Sequence, residues 1–246
     1  MGRPSFDFKR FSVRHDACAM KVGTDGVLLG AWVDVRDAAR ILDVGTGTGL
    51  LALMMAQRTE QSSPSTQQPG TEQVRVYIDA LEIDAAAAEQ ATNNVKASPW
   101  ADRIRVVRGD ARTWTEGVYD HIVSNPPYFR QSLNAPEKVR NQARHDDTLS
   151  WEDLIALADR LLAPNGRLSL ILPMEADGLI EAICWPHHLY LTRRWTVASL
   201  PGRTPNRLLL TFQRQQAPIE HGHLCIQSQP GQRSSEFSAI TADFYL

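Results

Sequence analysis

Cysteine is scarce in this chain, with three residues in 246. Cys18, Cys184 and Cys225 are far apart and form no C-x-x-C pair. That spacing argues against a disulfide framework or a cysteine-ligated zinc site, and predicts buried free thiols. Long apolar runs are also missing: none approaches the ~20 residues that cross a bilayer. The polar, basic stretch Met1–Arg14 lacks the apolar centre of a signal peptide. Together these absences predict a soluble cytoplasmic protein with no membrane partner. No metal is expected, since His187-His188 has no ligand partner at helical spacing. Neither sign of charge dominates, with 26 basic and 28 acidic residues and a net charge of −2. A uniformly basic nucleic-acid binder is therefore excluded. No internal repeat or linker is visible, so the expectation is one domain over 1–246 with a packed core, hydrophobic residues being 43%.

The charge is unevenly distributed. Arg3, Lys9, Arg10, Arg14 and Lys21 meet only Asp7 and Asp16 in the first 21 residues, and Pro186–Gln216 holds five arginines and no acid. Glu72 to Glu89 is acidic. Such segments leave room for a local basic footprint. Strands are expected at 41–44, 74–81, 104–107, 119–124, 167–172, 189–198 and 207–213. Helices are expected at 50–58, after Asp84 to about 97, at 151–162 and near 177–184. Asn165-Gly166 should close the third of these helices. Residues 59–73, rich in Gln, Ser, Thr and Pro, read as a loop insertion, and 129–148 as a long polar loop. The tail from Leu224 reads as a strand, a polar turn and an aromatic ending. The six tryptophans are scattered, and most of them read as packing residues. The alternation predicts an α/β fold with a mostly parallel, seven-stranded sheet covered on both faces.

Four polar features fall at predicted strand C-termini, where such sheets bind ligands. Asp43-Val44-Gly45-Thr46-Gly47-Thr48-Gly49 follows the first buried strand. Glycines there let a ligand approach the backbone closely. Their G-x-G-x-G spacing differs from the dinucleotide fingerprint and implies no pyrophosphate. Glu82 ends the second strand, where a carboxylate can accept both ribose hydroxyls. The insertion at 59–73 accounts for its distance from the glycines. Asp110 ends the third strand and can accept from an adenine amino group. Each acid alone could equally be a helix cap or a surface charge.

Asn125-Pro126-Pro127-Tyr128 is the most specific feature. The prolines stiffen the loop. An Asn side chain and a nearby carbonyl can then accept from one amino group together. An aromatic amine's lone pair is delocalised into its ring, so acceptors that stabilise the developing positive charge help it attack. Tyr128 offers a face for a stacked base, worth roughly 1–3 kcal/mol. A plain Pro-Pro turn is the alternative.

Asp43–Gly49 and Asn125–Tyr128 resemble motifs I and IV of class I amino-group methyltransferases. The stretch Phe6-Asp7-Phe8-Lys9-Arg10-Phe11, then His15-Asp16, then Cys18 through Trp32, is more specific. With the ending Ser235-Glu236-Phe237 through Asp243-Phe244-Tyr245-Leu246, it resembles the bacterial tRNA1(Val) (adenine(37)-N6)-methyltransferase family across nearly the whole chain. The loop at 59–73 departs from that pattern, as does Ala17, where a basic residue is expected. The resemblance implies a class I, Rossmann-like fold, S-adenosylmethionine as cofactor and tRNA, of the tRNA1(Val) type, as substrate. It implies that Lys21, Thr24 and Asp25 belong to a cofactor-closing segment spanning about 1–35. It also places Asp43, Gly45, Gly47 and Gly49 by the methionine end, Glu82 on the ribose, Asp110 with Ala111 near the cofactor adenine, and Asn125, Pro126, Pro127 and Tyr128 at the target base.

The reaction so implied is direct in-line displacement, with the adenine unstacked as in an anticodon loop. Arg130, Lys138, Arg140 and Arg144 are candidate phosphate contacts, or simply a solvated loop. DNA-adenine and protein-glutamine methyltransferases share the Asn-Pro-Pro-Tyr chemistry. The chain shows no DNA target-recognition domain. A non-catalytic RNA-binding module is the competing class, and the intact glycine and Asn-Pro-Pro-Tyr motifs argue against it. A nicotinamide oxidoreductase has the wrong glycine spacing. No obligate protein partner is evident.

Overall fold

The computed structural model describes residues 4–18, 21–61, 75–127 and 149–246. A short hairpin, β1 (Ser5–Asp7) and β2 (Ser12–Arg14), precedes helix α1 (Thr24–Trp32). Strand β3 (Arg40–Val44), helix α2 (Leu50–Gln61), strand β4 (Tyr77–Glu82), helix α3 (Ala85–Lys96), strand β5 (Ile104–Arg108) and strand β6 (Tyr119–Ser124) follow. Helix α4 (Trp151–Leu161), strand β7 (Leu162–Pro173), helix α5 (Leu179–Cys184) and strands β8 (Tyr190–Ala198), β9 (Arg207–Gln213) and β10 (Glu220–Cys225) come next. The described chain ends with a small hairpin, β11 (Gln227–Gln229) and β12 (Gln232–Arg233), and helix α6 (Ser235–Ile240).

The main sheet has the order β10-β8-β9-β7-β6-β3-β4-β5. Only β9 runs antiparallel to its neighbours. The chain builds outward from β3 through β4 to β5, then crosses to β6 on the other side of β3. The C-terminal ends of β3 and β6 therefore flank the topological switch point. Adjacent strand residues point to opposite faces, so Ile41 enters one core and Leu42 the other. Leu28, Leu53, Met54 and Val95 of α1, α2 and α3 fill the first core; Leu154, Ile155 and Leu157 of α4 and Ile180 of α5 fill the second.

Local chemistry sets several boundaries. Asp84 caps α3 by accepting from the Ala87 N–H at 2.8 Å. Ser150 and Asp153 form a reciprocal capping box at the start of α4. Helix α2 runs three residues past the expected end at Arg58. Thr59 Oγ1 donates back to the Met55 carbonyl at 2.8 Å, and Glu60 accepts from Trp100 Nε1 at 2.9 Å and pairs with Arg10. Strand β4 begins at Tyr77, where its ladder with Arg40 begins, rather than near 74.

The expected turn at Asn165-Gly166 lies inside β7 instead. Helix α4 ends at Leu161, and the chain passes directly into strand. Ladder partners jump from Tyr119↔Leu162 to His121↔Arg167, so the intervening residues bulge. A Cβ on Gly166 would sit 2.8 Å from Leu162 Cγ, which is why glycine occupies the bulge.

The expected count of seven strands becomes eight because β10 adds in parallel to β8. Its sequence, Glu-His-Gly-His-Leu-Cys, has no apolar alternation to announce a strand. A Cβ on Gly222 would lie 2.2 Å from Trp195, so the missing side chain lets that indole lie against the edge strand. Of the three thiols, Cys184 is buried, while Cys18 and Cys225 are half-buried. His187 is half-buried and bonds Asp159 through Nδ1 at 2.9 Å. Trp100 is core, while Trp185 is 64% exposed and sets its ring edge-on to Tyr190 at 5.2 Å.

The two chain ends meet. Phe8 stacks on Phe11 at 4.7 Å, and Tyr245 packs against Phe6, Phe8 and Phe237 at 5.9–6.0 Å. The Lys9 N–H donates to the Phe244 carbonyl at 2.8 Å. The aromatic residues of the N-terminal stretch and of the ending thus form one cluster beside α2 and α3.

Candidate active site

The glycine loop is held by the neighbouring strand. The N–H groups of Gly45 and Thr46 both donate to the Leu81 carbonyl, at 2.9 and 3.0 Å. Gly47 N–H donates to Glu82 Oε2 at 2.8 Å, and Asp84 N–H donates to Glu82 Oε1 at 3.0 Å. Gly45, Gly47 and Gly49 all have positive φ (+71°, +55° and +82°), a region that penalises side chains. A Cβ on Gly45 or Gly47 would meet nothing within 4 Å. The loop thus borders open space at the switch point.

Asp43 lies beneath this loop and is fully buried. Its Oδ2 accepts from Thr46 Oγ1 and from the Ala52 N–H, while Oδ1 has no partner among the described residues. Burial pushes the carboxyl up to about 7, the nearby Glu82 charge adds to the rise, and the two donors oppose it. Open room over the glycines, the Glu82 carboxylate beside them and an orphaned buried oxygen together fit a nucleoside-type cofactor at this edge.

Asp110 follows β5 on the same edge. Both of its oxygens accept from the Arg112 guanidinium at 2.7–3.0 Å, which holds the carboxyl below the ordinary range. Ala111 beside it is buried. Asn125 follows β6. The ladder pairs Asp43 with Val123, and Ser124 Oγ donates to the Val44 carbonyl at 2.8 Å. The register brings Asn125 alongside Gly45, with Asn125 half-buried, Pro126 buried and Pro127 exposed. Tyr128, together with Arg130, Lys138, Arg140 and Arg144, lies outside the described residues.

Asp25 at the head of α1 pairs with Arg207 at the start of β9, Nε to Oδ2 at 2.9 Å. Because β9 is antiparallel, its start lies at the edge where β7 ends, with Pro173 opposite Arg207. That pair fixes the start of α1, and Lys21 and Thr24 near it, at the edge that carries Asn125. The structure therefore gathers Lys21, Thr24, Asp25, Asp43, Gly45, Gly47, Gly49, Glu82, Asp110, Ala111, Asn125, Pro126 and Pro127 at one end of the sheet.

Two residues that the sequence did not single out hold the N-terminal segment there. Asn94 on α3 is 3% exposed and reads the backbone of Arg14 in both directions. Its Oδ1 accepts from the Arg14 N–H at 2.9 Å, and its Nδ2 donates to the Arg14 carbonyl at 2.9 Å and to the Thr48 carbonyl at 2.8 Å. One buried amide thus ties the hairpin to the glycine loop. Gln90, one turn earlier, accepts from the Ala17 N–H and donates to Asp16. Two buried amides at i, i+4 in an alanine-rich helix were the available signal.

An open groove of about 540 Å³ lies at the opposite edge, lined by residues that include Arg40, Asp79, Asp102 and Arg105. Its charges satisfy one another: Asp79 binds Arg40, Arg105 and Tyr119. We assign it no part in the chemistry. No group of His, Cys, Asp and Glu among the described residues can hold a metal ion, and no helix among them is long and apolar enough to cross a membrane.

Residues 18–177 match the family model for the methyltransferase small domain. The chain is 46% identical over 246 residues to the tRNA1(Val) (adenine(37)-N6)-methyltransferase of Tolumonas auensis, covering 100% of this chain and 98% of that one. It is 45% identical over 247 residues to the Bacteroides thetaiotaomicron protein of the same name, covering 100% and 99%. A crystal structure from Agrobacterium tumefaciens, titled a predicted O-methyltransferase, superposes with a TM-score of 0.66 at 20% identity, covering 89% of this chain and 96% of that one. That last likeness speaks to the fold alone.

Proposed function

The chain belongs to the tRNA1(Val) (adenine(37)-N6)-methyltransferase family, and on that premise we propose that it methylates N6 of adenine 37 in the anticodon loop of tRNA1(Val), with Asn125 receiving the reacting amine. The observation that carries the assignment is the β3–β6 register, which sets an Asn-Pro-Pro turn directly beside the open glycine loop. S-adenosylmethionine supplies an electron-poor methyl group on a sulfonium sulfur. Gly45, Gly47 and Gly49 with Asp43, Lys21, Thr24 and Asp25 hold its methionine end, Glu82 its ribose, and Asp110 with Ala111 its adenine.

Asn125 accepts a hydrogen bond from the N6 amino group and stabilises positive charge on the nitrogen as it attacks. Such preorganised groups contribute most where charge develops. Pro126 and Pro127 keep the turn from relaxing, and Tyr128 stacks on the extruded base. No general base is required before the new bond forms, because the amine attacks as the neutral species and loses its proton afterwards. The rest is positioning. A tRNA substrate places the enzyme in the cytoplasm, and the chain acts as one domain over 1–246, with 1–35 closing over the cofactor.

The test is transfer of labelled methyl from S-adenosylmethionine into unmodified tRNA, followed by nucleoside analysis. Label in N6-methyladenosine is the expected result. Label in DNA or protein instead, with none in tRNA, would overturn the substrate.

A further inference from the structure

We infer that an arginine edge formed by Arg108, Arg203 and Arg233 is the docking surface for the phosphates of the tRNA arm, an inference that rests on the function proposed above. Every other arginine among the described residues already donates to a carboxylate, a carbonyl or a hydroxyl. The acid-free stretch 186–216 shows this well: Arg193 pairs with Glu220, Arg194 with Asp177, Arg207 with Asp25 and Arg214 with Asp159. Elsewhere Arg10, Arg14, Arg36, Arg40, Arg75, Arg105, Arg112 and Arg167 are paired with acids, and Arg58, Arg103 and Arg160 with carbonyls. Among the described residues, Arg108, Arg203 and Arg233 alone are left with no such acceptor, and all three are exposed.

Their placement is not scattered. Arg108 ends β5, opposite Glu82, on the catalytic edge. Arg203 lies in the loop from β8 to β9, which turns at that same edge because β8 runs parallel to the central strands. The N–H groups of Ile226 and Gln227 donate to the carbonyls of Ala198 and Ser199, so the β11–β12 hairpin lies against the end of β8. Arg233 is opposite Gln227 in that hairpin. It stacks on Tyr245 at 4.1 Å, which occupies a face of the guanidinium and leaves its N–H edge outward.

From β5 to β8 the sheet crosses six strand spacings, roughly 29 Å at about 4.8 Å each. A row of unneutralised guanidinium groups that long exceeds a single nucleotide and suits successive phosphates of a folded RNA arm. It also flanks Asn125 on both sides, so phosphates gripped at either end would hold a loop base over the turn.

The test measures methyl transfer to tRNA against salt for the wild type, for R108Q/R203Q/R233Q, and for K96Q. Lys96 ends α3 away from this edge and has no acceptor among the described residues, so K96Q removes an equally free charge elsewhere. The triple variant should raise the tRNA KM at least tenfold, leave the S-adenosylmethionine KM within twofold, and lower the log–log salt slope by about 2–3. K96Q should leave the slope unchanged. An active wild type whose salt slope survives the triple substitution, or falls as much in K96Q, would overturn the arginine edge and spare the proposed function. A wild type that transfers no methyl to tRNA at all would overturn the function and the docking surface together.

Discussion

Replacing Asn94 by alanine should detach the N-terminal segment from the cofactor loop. The amide makes three hydrogen bonds in a site that is 3% exposed. A net hydrogen bond contributes about 1 kcal/mol, and leaving a buried partner unsatisfied costs about 1–3. Alanine leaves the Arg14 N–H, the Arg14 carbonyl and the Thr48 carbonyl without this partner. Water reaches the Arg14 end as the hairpin lifts, so the cost should settle near 3 kcal/mol. In a domain of this length that is a fall in melting temperature of about 6–12 °C. The segment that lifts carries Asp16 and leads to Lys21, Thr24 and Asp25, so the S-adenosylmethionine KM should rise at least fivefold while the tRNA KM changes less. Asn94→Asp should be no better: it keeps the acceptor for the Arg14 N–H but sets a carboxylate against two carbonyls. Thermal melts and initial rates at varied cofactor concentration read both effects. A melting temperature within 2 °C of wild type together with an unchanged cofactor KM would refute the tether.

Two further outcomes follow from the glycine loop. Asp43 titrates at about 7 in the fold, against an ordinary value near 4. Between those values the native state holds a proton that the unfolded chain has released, so this group's contribution to stability is full below pH 4 and is lost as pH rises toward 7. Asp43→Asn keeps an acceptor for Thr46 and removes the titration, so its melting temperature should fall less than wild type between pH 4 and 7; parallel curves would contradict the raised value. Gly47→Ala puts a methyl group into the open space at a φ of +55°, at about 1–2 kcal/mol. It should lower the melting temperature by only a few degrees yet raise the cofactor KM at least tenfold, and an equal cofactor KM by titration would contradict the placement of the cradle.

The sequence was most informative where one chemistry demands one residue type. The glycines at positive φ and the Asn-Pro-Pro turn after a buried strand could be located from pattern alone, and the structure puts them side by side. Partners brought in by tertiary packing were harder to see. Gln90 and Asn94 look like solvent-facing polar residues of an alanine-rich helix until the β1–β2 hairpin covers them. Strand β10 lacks apolar alternation because it is an edge strand whose fit depends on an absent side chain at Gly222. The acid-free stretch suggested a basic patch, yet four of its five arginines are neutralised by acids distant in sequence. Charge counted along the chain is thus a poor guide to charge left free on the surface.

The most direct test of the account is a single-turnover measurement of methyl transfer to position 37 of tRNA1(Val), comparing wild type with Asn125→Ala. N6-methyladenosine at 37 is the expected product of the wild type. In the variant the rate should fall by about 10²–10³, the size expected when one preorganised group facing developing charge is removed, with cofactor affinity within threefold. A variant that transfers methyl to position 37 at the wild-type rate would contradict the role given to Asn125, and a wild type that methylates a different position would contradict the substrate.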